Sequence, residues 1–320
     1  MQLVKVLACA ITLAAATSEA QQYPQRPVRV LVGFAAGGPT DVIARVLGQD
    51  MTSSLGQPIV IDNRTGANSL IATETVARAA PDGHTLLFAS LSHNVNYILM
   101  ERKTYHPLRD FAPISLAAVL PLLLVTRPET PANSVADLVQ IAKAKPGMVT
   151  YGSAGNGGSA HLAAAMLETT SGVRMTHVPF RGNAPALVDV MSGQVTFMFY
   201  PMIGISEHVA AKRLKVLAIG TAKRHPDYPN APTMAEAGFP GFEETAPWVG
   251  MLAPAGTPPA IVNRVSEEIR KSLGKPDVRE RLVALGAINV GGTPAEFVEF
   301  LKKDAERWAR VIRAAGVKGQ

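Results

Sequence analysis

At 320 residues, with 47% hydrophobic and 18% charged side chains, the chain has material for two packed domains of about 150 residues each. Its formal charge of +6 is not gathered into a basic block. Glu267, Glu268, Arg270 and Lys271, and later Lys302, Lys303, Asp304 and Glu306, mix both signs as solvated helix faces do, which argues against a nucleic-acid groove.

In chain order, a positive start ending at Lys5 leads into an apolar run over residues 6–16, and Ser18 and Ala20 are small residues of the kind a signal peptidase reads. The run is too short for a permanent membrane span. Cleavage after Ala20 and export to the periplasm are expected, making residues 1–20 a signal peptide. Residues 6–9 faintly resemble a lipoprotein box, but a cut there would leave most of the apolar run on the mature protein. Cys9 is the only cysteine and leaves with the signal, so disulfides, zinc–thiolate sites and cysteine nucleophiles are excluded.

The first strand is expected at Val28, Val30 and Val32, and it runs into a glycine turn at Gly37 and Gly38. Thr40 or Asp41 can cap the helix that follows, whose apolar residues Ile43, Val46, Leu47, Met51 and Leu55 recur at helical spacing. Such a turn aims backbone N–H groups and a positive helix end at one point, an anion site in outline. Residues 58–62 form a second strand and complete a βαβ unit with a parallel pair. After a helix through Ala72 and Val76, a third strand over 85–89 delivers Ser90 and His93 to the same sheet edge. His93 reads as a surface loop residue or a polar contact there.

The apolar stretch 111–125, broken at Pro121, is a candidate crossing between lobes, with 245–252 as its return. That assigns 21–120 and 248–320 to a first lobe and 121–247 to a second. Ser134 to Asp137 is a capping box for a new helix. The second lobe opens as the first did: a strand over 148–151, a glycine loop over 152–158, and a helix from Ser159. Two glycine turns, one per lobe, suggest helix ends facing each other across a cleft. Strands over 174–178, 195–200 and 214–219 follow, then a short helix over 233–236 stopped by Gly238. A capping box at Thr293 and Glu296 starts the last helix, whose Phe297, Leu301, Trp308 and Ile312 form a core stripe.

Enzyme motifs are weak. Gly157 to His161 falls one residue short of a serine-hydrolase elbow, and nothing in the spacing of Asp189, His208 or His225 selects them as partners. Neither glycine loop has a phosphate-loop ending or the dinucleotide spacing, and no cluster has metal-ligand spacing. Arg181 reads equally as a carboxylate partner and as a solvated loop arginine. Read from the residues, the chain is an exported two-lobed anion binder, with no cofactor expected.

The residues also carry a family resemblance. Tyr23 to Val28, Phe34 to Asp41, Leu55 to Pro58, Asn63 and Arg64, Ala80 to Gly83, Tyr151 to Gly157, Val178 to Gly182 and Ala253 to Pro258 are similar to the periplasmic solute-binding receptors of tripartite tricarboxylate transporters, the Bug family. The resemblance implies a type II-like α/β periplasmic binding fold of two lobes, each a mainly parallel sheet flanked by helices, joined by two hinge crossings. It implies a receptor, not an enzyme, that holds a di-, tri- or aromatic carboxylate and delivers it as a monomer to a membrane permease; docking on a sensor protein is the alternative, and a serine hydrolase a distant third. The binding positions it implies are Phe34, Ala36, Gly37, Gly38, Thr40 and Asp41 in the first lobe. In the second they are Ser153, Ala154, Gly155, Asn156, Gly157 and Ser159. Ser90, Phe180 and Arg181 would line a distal pocket. Ala36 stands where the family usually has proline, and Thr196 and Tyr200 where it often has aspartate. Tyr200 is expected either to add an aromatic wall to the cleft, favouring a flat ligand, or to pack at the lobe surface.

Overall fold

The structure, a computed structural model, describes residues 23–317, so the expected signal segment and Cys9 lie outside the described residues. The chain begins with β1 (Val28–Val32), α1 (Pro39–Leu55), β2 (Ile59–Asn63), α2 (Leu70–Ala77), β3 (Thr85–Ser90), α3 (Ser92–Leu99) and β4 (Phe111–Val119). It continues with β5 (Leu122–Thr126), α4 (Val135–Ala144), β6 (Thr150–Ser153), α5 (Ser159–Ser171), β7 (Thr176–Pro179), α6 (Asn183–Ser192), β8 (Phe197–Pro201), α7 (Ser206–Ala210) and β9 (Lys215–Ile219). It ends with β10 (Trp248–Pro254), α8 (Pro259–Gly274), α9 (Pro276–Ala284), β11 (Ile288–Asn289) and α10 (Pro294–Ala314). Among the described residues no helix is long and apolar enough to cross a membrane.

These strands build two sheets, in the orders β11-β4-β10-β3-β1-β2 and β7-β6-β8-β5-β9. Between named strands, parallel pairing is confined to β2-β1-β3 and β7-β6-β8; one isolated parallel bridge joins Ile219 to Thr233. The strands next to the crossings, β4, β5 and β10, pair antiparallel, so each sheet is mixed. The reason is chain direction: a strand that leaves one sheet for the other, or returns, needs no helical crossover and can run against its neighbours.

Both faces of each sheet are covered, which explains the near-continuous apolar strands. Val28, Val30 and Val32 of β1 pack with Ile43, Leu47 and Met51 of α1, while Leu31 turns to the other face with Ala72, Val95, Phe297 and Trp308. In the second sheet Leu122 and Leu124 join Leu138 of α4 and Leu167 of α5. Leu123 and Val125 instead join Leu187 and Val190 of α6. Period-2 alternation thus divides each strand between two cores. The capping box expected at Thr293 and Glu296 is present on α10, whose Phe297 and Trp308 are wholly buried, each burial contributing roughly 1.5–3 kcal/mol. At 233–236 the cap forms without its helix: the Glu236 N–H donates to Thr233 Oγ1 and the Thr233 N–H to the Glu236 carboxylate, but Gly238 and Pro240 stop the chain after one turn.

The chain passes between sheets at residues 120–121 and returns at 246–247. The two crossings touch, with the Leu120 N–H donating to the Pro247 carbonyl at 2.8 Å. A third link is Ile203, just after β8, which is buried in the core of the first sheet. The carboxyl ends of β1, β3, β6 and β8 all open toward the cleft between the sheets, where open α/β sheets hold their ligands.

Candidate functional site

Two cavities occupy that cleft. The smaller, about 30 Å³, is lined by Phe34, Gly38, Thr40 and Ser90 from the first sheet's side and by Ser159 and Asn183 from the second's. At about 10–15 Å³ per water, it has room for two oxygen-sized atoms. Three helices begin at it. Gly38 precedes α1, Gly158 precedes α5 and Gly182 precedes α6, and none of the three has a side-chain cap. Their first-turn N–H groups have no intrahelical acceptor, so positive helix ends converge here from both sheets. Among the described α-helices only α4, through Ser134, and α10, through Thr293, carry a side-chain cap, so what sets these three ends apart is their convergence on one cavity.

The glycine loops are shaped for this approach. Gly37 has φ +78° and Gly157 φ +75°, a region that L side chains avoid. Asp41, 2% exposed, spends its carboxylate on the first loop: it accepts from the Gly37 N–H at 2.9 Å, from Arg45 Nε at 2.8 Å and from Asn63 Nδ2 at 2.9 Å. Burial alone would raise its pKa, but the Arg45, Gly37 and Asn63 donors together hold it below the ordinary carboxylate value. Asp41 is therefore an internal brace of the loop rather than part of either cavity wall.

The larger cavity, about 690 Å³, lies beside the first and shares Asn68 and Ala154 with it as a partition. Gly155, Asn156, Gly157, Phe180 and Arg181 line it, as do three rings, Tyr151, His161 and His177. His161 and His177 stack at 4.0 Å with planes 1° apart, and Tyr151 lies beside the pair, 5.1 Å from His177 and 6.3 Å from His161, its plane tilted 18° from both. His161 Nδ1 accepts the Gly157 N–H at 2.9 Å, and His177 Nε2 meets Ser153 Oγ at 2.6 Å, so each ring braces the second glycine loop. Burial pushes the His161 pKa down to about 4; burial and then the charge of its neighbour His161 push His177 down to about 3. Both rings are neutral at pH 7. Arg181 carries no ion pair among the described residues.

The placement of the expected positions is uneven. Phe34, Gly38, Thr40, Ser90 and Ser159 meet at the small cavity, Ala154 at the partition, and Gly155, Asn156, Gly157, Phe180 and Arg181 at the large one. Ser90 thus sits with the helix ends and not beside Phe180 and Arg181. Ala36 and Gly37 are exposed at the loop tip, and Ser153 is buried behind its loop.

Tyr200 corrects the sequence reading: it is neither an aromatic wall nor a surface residue. At 4% exposure it lies in the core with Leu123, Leu187 and Met198, because strand parity turns it to the α6 face; the next residue, Pro201, lines the small cavity. His93 is likewise no loop residue. It lies in α3 at 1% exposure, with Nε2 against the Pro107 carbonyl at 2.8 Å. The sequence reading missed Asn68, Asn96, His177 and Asn183; the polar run 63–68 was the one signal available for Asn68.

The family model described as the tripartite tricarboxylate transporter family receptor matches residues 43–317. The chain belongs to this receptor family. A UPF0065 protein in the tcbD-tcbE intergenic region of Pseudomonas sp. (strain P51) is 39% identical, covering 95% of this chain and 91% of that protein. BugT of Bordetella pertussis is 38% identical over 95% of this chain and 94% of its own. Among solved structures, the periplasmic binding protein BugD superposes with a TM-score of 0.89 at 34% identity, covering 93% of this chain and all of that one. Two Rhodopseudomonas palustris proteins, Rpa4515 with adipate and MatC with bound malate, give TM-scores of 0.89 and 0.86, each at 34% identity and covering 93% and 91% of this chain and 100% of theirs. The receptor thus has the two-lobed fold of periplasmic binding proteins.

Proposed function

We propose that this receptor captures a small carboxylate in the cleft and delivers it to a membrane permease of the tripartite tricarboxylate type. The observation that carries the reading is the meeting of three uncapped helix N-termini, after Gly38, Gly158 and Gly182, at one small cavity between the sheets. A carboxylate head group matches that cavity in size and in charge. Phe34, Gly38, Thr40, Ser90 and Ser159 surround the head group, while the ligand's body passes Ala154 toward the larger cavity and the free Arg181. Backbone N–H groups bind at low entropic cost because the fold already orients them. The lobes are residues 21–120 with 248–320, and 121–247, and they close about the crossings at Leu120 and Pro247. Before that, the chain is exported, cut after Ala20, and acts as a periplasmic monomer. The relatives solved with adipate and malate support the ligand class.

A thermal-shift screen of the mature chain against mono-, di-, tri- and aromatic carboxylates tests the reading. A ligand of the folded state adds about 2.7 kcal/mol at a hundred times its Kd, so a true ligand raises the melting temperature by several degrees. Stabilisation by an uncharged sugar or an amine, with none by any carboxylate, would overturn it.

A further inference from the structure

The partition residue Asn68 has features that a simple connection does not explain. Ala67, Asn68 and Ser69 stand consecutively at φ 45°, 51° and 74°, three non-glycine residues in the left-handed region. Such runs are strained, and strain of this kind persists where the surrounding structure enforces it. The side chain is fixed as firmly as the backbone. Asn96 Nδ2 donates to the Asn68 carbonyl at 2.9 Å, which turns Asn96 Oδ1 toward Asn68 Nδ2 at 3.1 Å. Asn68 must therefore present Nδ2 to Asn96 and point Oδ1 the other way.

That oxygen has no hydrogen-bond partner among the described residues, although Asn68 is only 7% exposed. A Cβ on Gly158 would lie 3.7 Å from it, whereas one on Gly157 would lie 3.5 Å from Nδ2. Gly158 lines the small cavity and Gly157 the large one, so Oδ1 lies on the helix-end side of the partition. A buried acceptor left unpaired is costly, and a site built with one favours the ligand that supplies the donor. Asn183, also at the small cavity, has no partner for its amide oxygen among the described residues and can offer it to a ligand.

We propose that Asn68 makes this cleft selective for a carboxylate that carries a hydroxyl group close to its carboxyl carbon. The inference rests on the carboxylate reading above and narrows it. The carboxylate fills the small cavity at the helix-end N–H groups, and the neighbouring hydroxyl, level with the partition, donates to Asn68 Oδ1. An ammonium group could donate too, but it would face three positive helix ends, and the carboxylates around the cleft are engaged: Asp41 pairs with Arg45, and Glu168, at the large cavity, accepts from the Tyr151 hydroxyl and the Met175 N–H. The donor is therefore neutral.

Calorimetric titration of the mature chain with pairs differing by one hydroxyl, malate against succinate and mandelate against phenylacetate, reads the claim directly, with aspartate as the ammonium arm. At least one hydroxy member is expected to bind about tenfold more tightly than its partner, and aspartate more weakly than malate. Asn68→Gly removes the amide while giving the backbone a residue at ease with positive φ, so the melting temperature should hold or rise while the hydroxyl preference falls to about twofold or less. Should that variant fail to fold, Asn96→Ala leaves residue 68 in place but frees its amide to flip, and the preference should shrink there as well. An unchanged preference in the folded variant, equal binding of both members of each pair, or aspartate binding as tightly as malate would overturn the inference. Binding of no carboxylate at all would instead overturn the carboxylate reading on which it rests.

Discussion

The Ala35 N–H donates to the carbonyl of Arg181 at 3.2 Å, joining the first glycine loop to the loop after β7 across the cleft. Close by, a Cβ on Gly38 would lie 4.0 Å from the Ala184 nitrogen, and one on Gly182 only 3.0 Å from Ala35. The sheets meet here through backbone, so this contact depends on conformation rather than on side-chain identity. Arg181 lines the large cavity, with no ion pair among the described residues.

That arrangement separates closure from recognition at one residue. Arg181→Ala keeps the carbonyl that joins the sheets and removes only the cation. Affinity for a dicarboxylate should fall about tenfold, the scale of a charge-assisted hydrogen bond, while a monocarboxylate keeps its affinity. Paired titrations of wild type and variant check this; equal losses for both ligands would place the effect in closure.

Gly157 tests closure itself. Its φ of +75° disfavours any L side chain, and a Cβ there would lie 3.2 Å from Val95 and 2.8 Å from Leu99, both on the opposite side of the cleft. Gly157→Ala should cost about 1–2 kcal/mol in the loop and, if the proposed closure is what joins Gly157 to Val95 and Leu99, weaken ligand binding by at least tenfold. Ligand-induced melting shifts measure it: the shift should shrink in the variant.

The neutral histidines set the acid limit. His93 and His161 are held near pKa 4 and His177 near 3, mainly by burial, against about 6.5 in an unfolded chain. Between pH 6.5 and 4 the unfolded state therefore binds more protons than the folded one, and stability falls as pH falls through that window. Melting curves over this range should decline steadily. His177→Gln removes one such group and should make the decline shallower; an unchanged slope would speak against a buried neutral His177.

Asp304 ties the last helix to the return crossing. Its carboxylate, fully buried, accepts from Trp248 Nε1 and Asn94 Nδ2 at 2.8 Å each and pairs with Arg307 at 2.5 Å. Asp304→Ala strands three donors and should cost about 3 kcal/mol of stability in urea unfolding. Trp248 also lines the small cavity, so ligand affinity in the folded variant should fall along with stability.

Local pattern carried the sequence reading as far as local pattern can reach. The β1–turn–α1 unit was legible because Val28 to Val32 and Ile43 to Leu55 keep their periods, and the capping box at Thr293 and Glu296 named its helix. Tyr200 was misread because its face depends on which helix covers the sheet, and that is settled by α6 and not by β8. Ser90 and Arg181 were grouped together although they line different cavities, since a partition made by Asn68 is a contact between distant segments. The left-handed run 67–69 had little signature: Asn68 tolerates such a backbone, but Ala67 and Ser69 argue against the conformation they adopt.

The central claim is that the helix ends at Gly38, Gly158 and Gly182 recognise a carboxylate charge. The most direct test titrates one binding carboxylate and its neutral methyl ester, side by side, into the mature chain. Loss of charge at three helix ends, with the hydrogen bonds that accompany it, predicts at least hundredfold weaker binding of the ester. Equal affinities for acid and ester would contradict the claim.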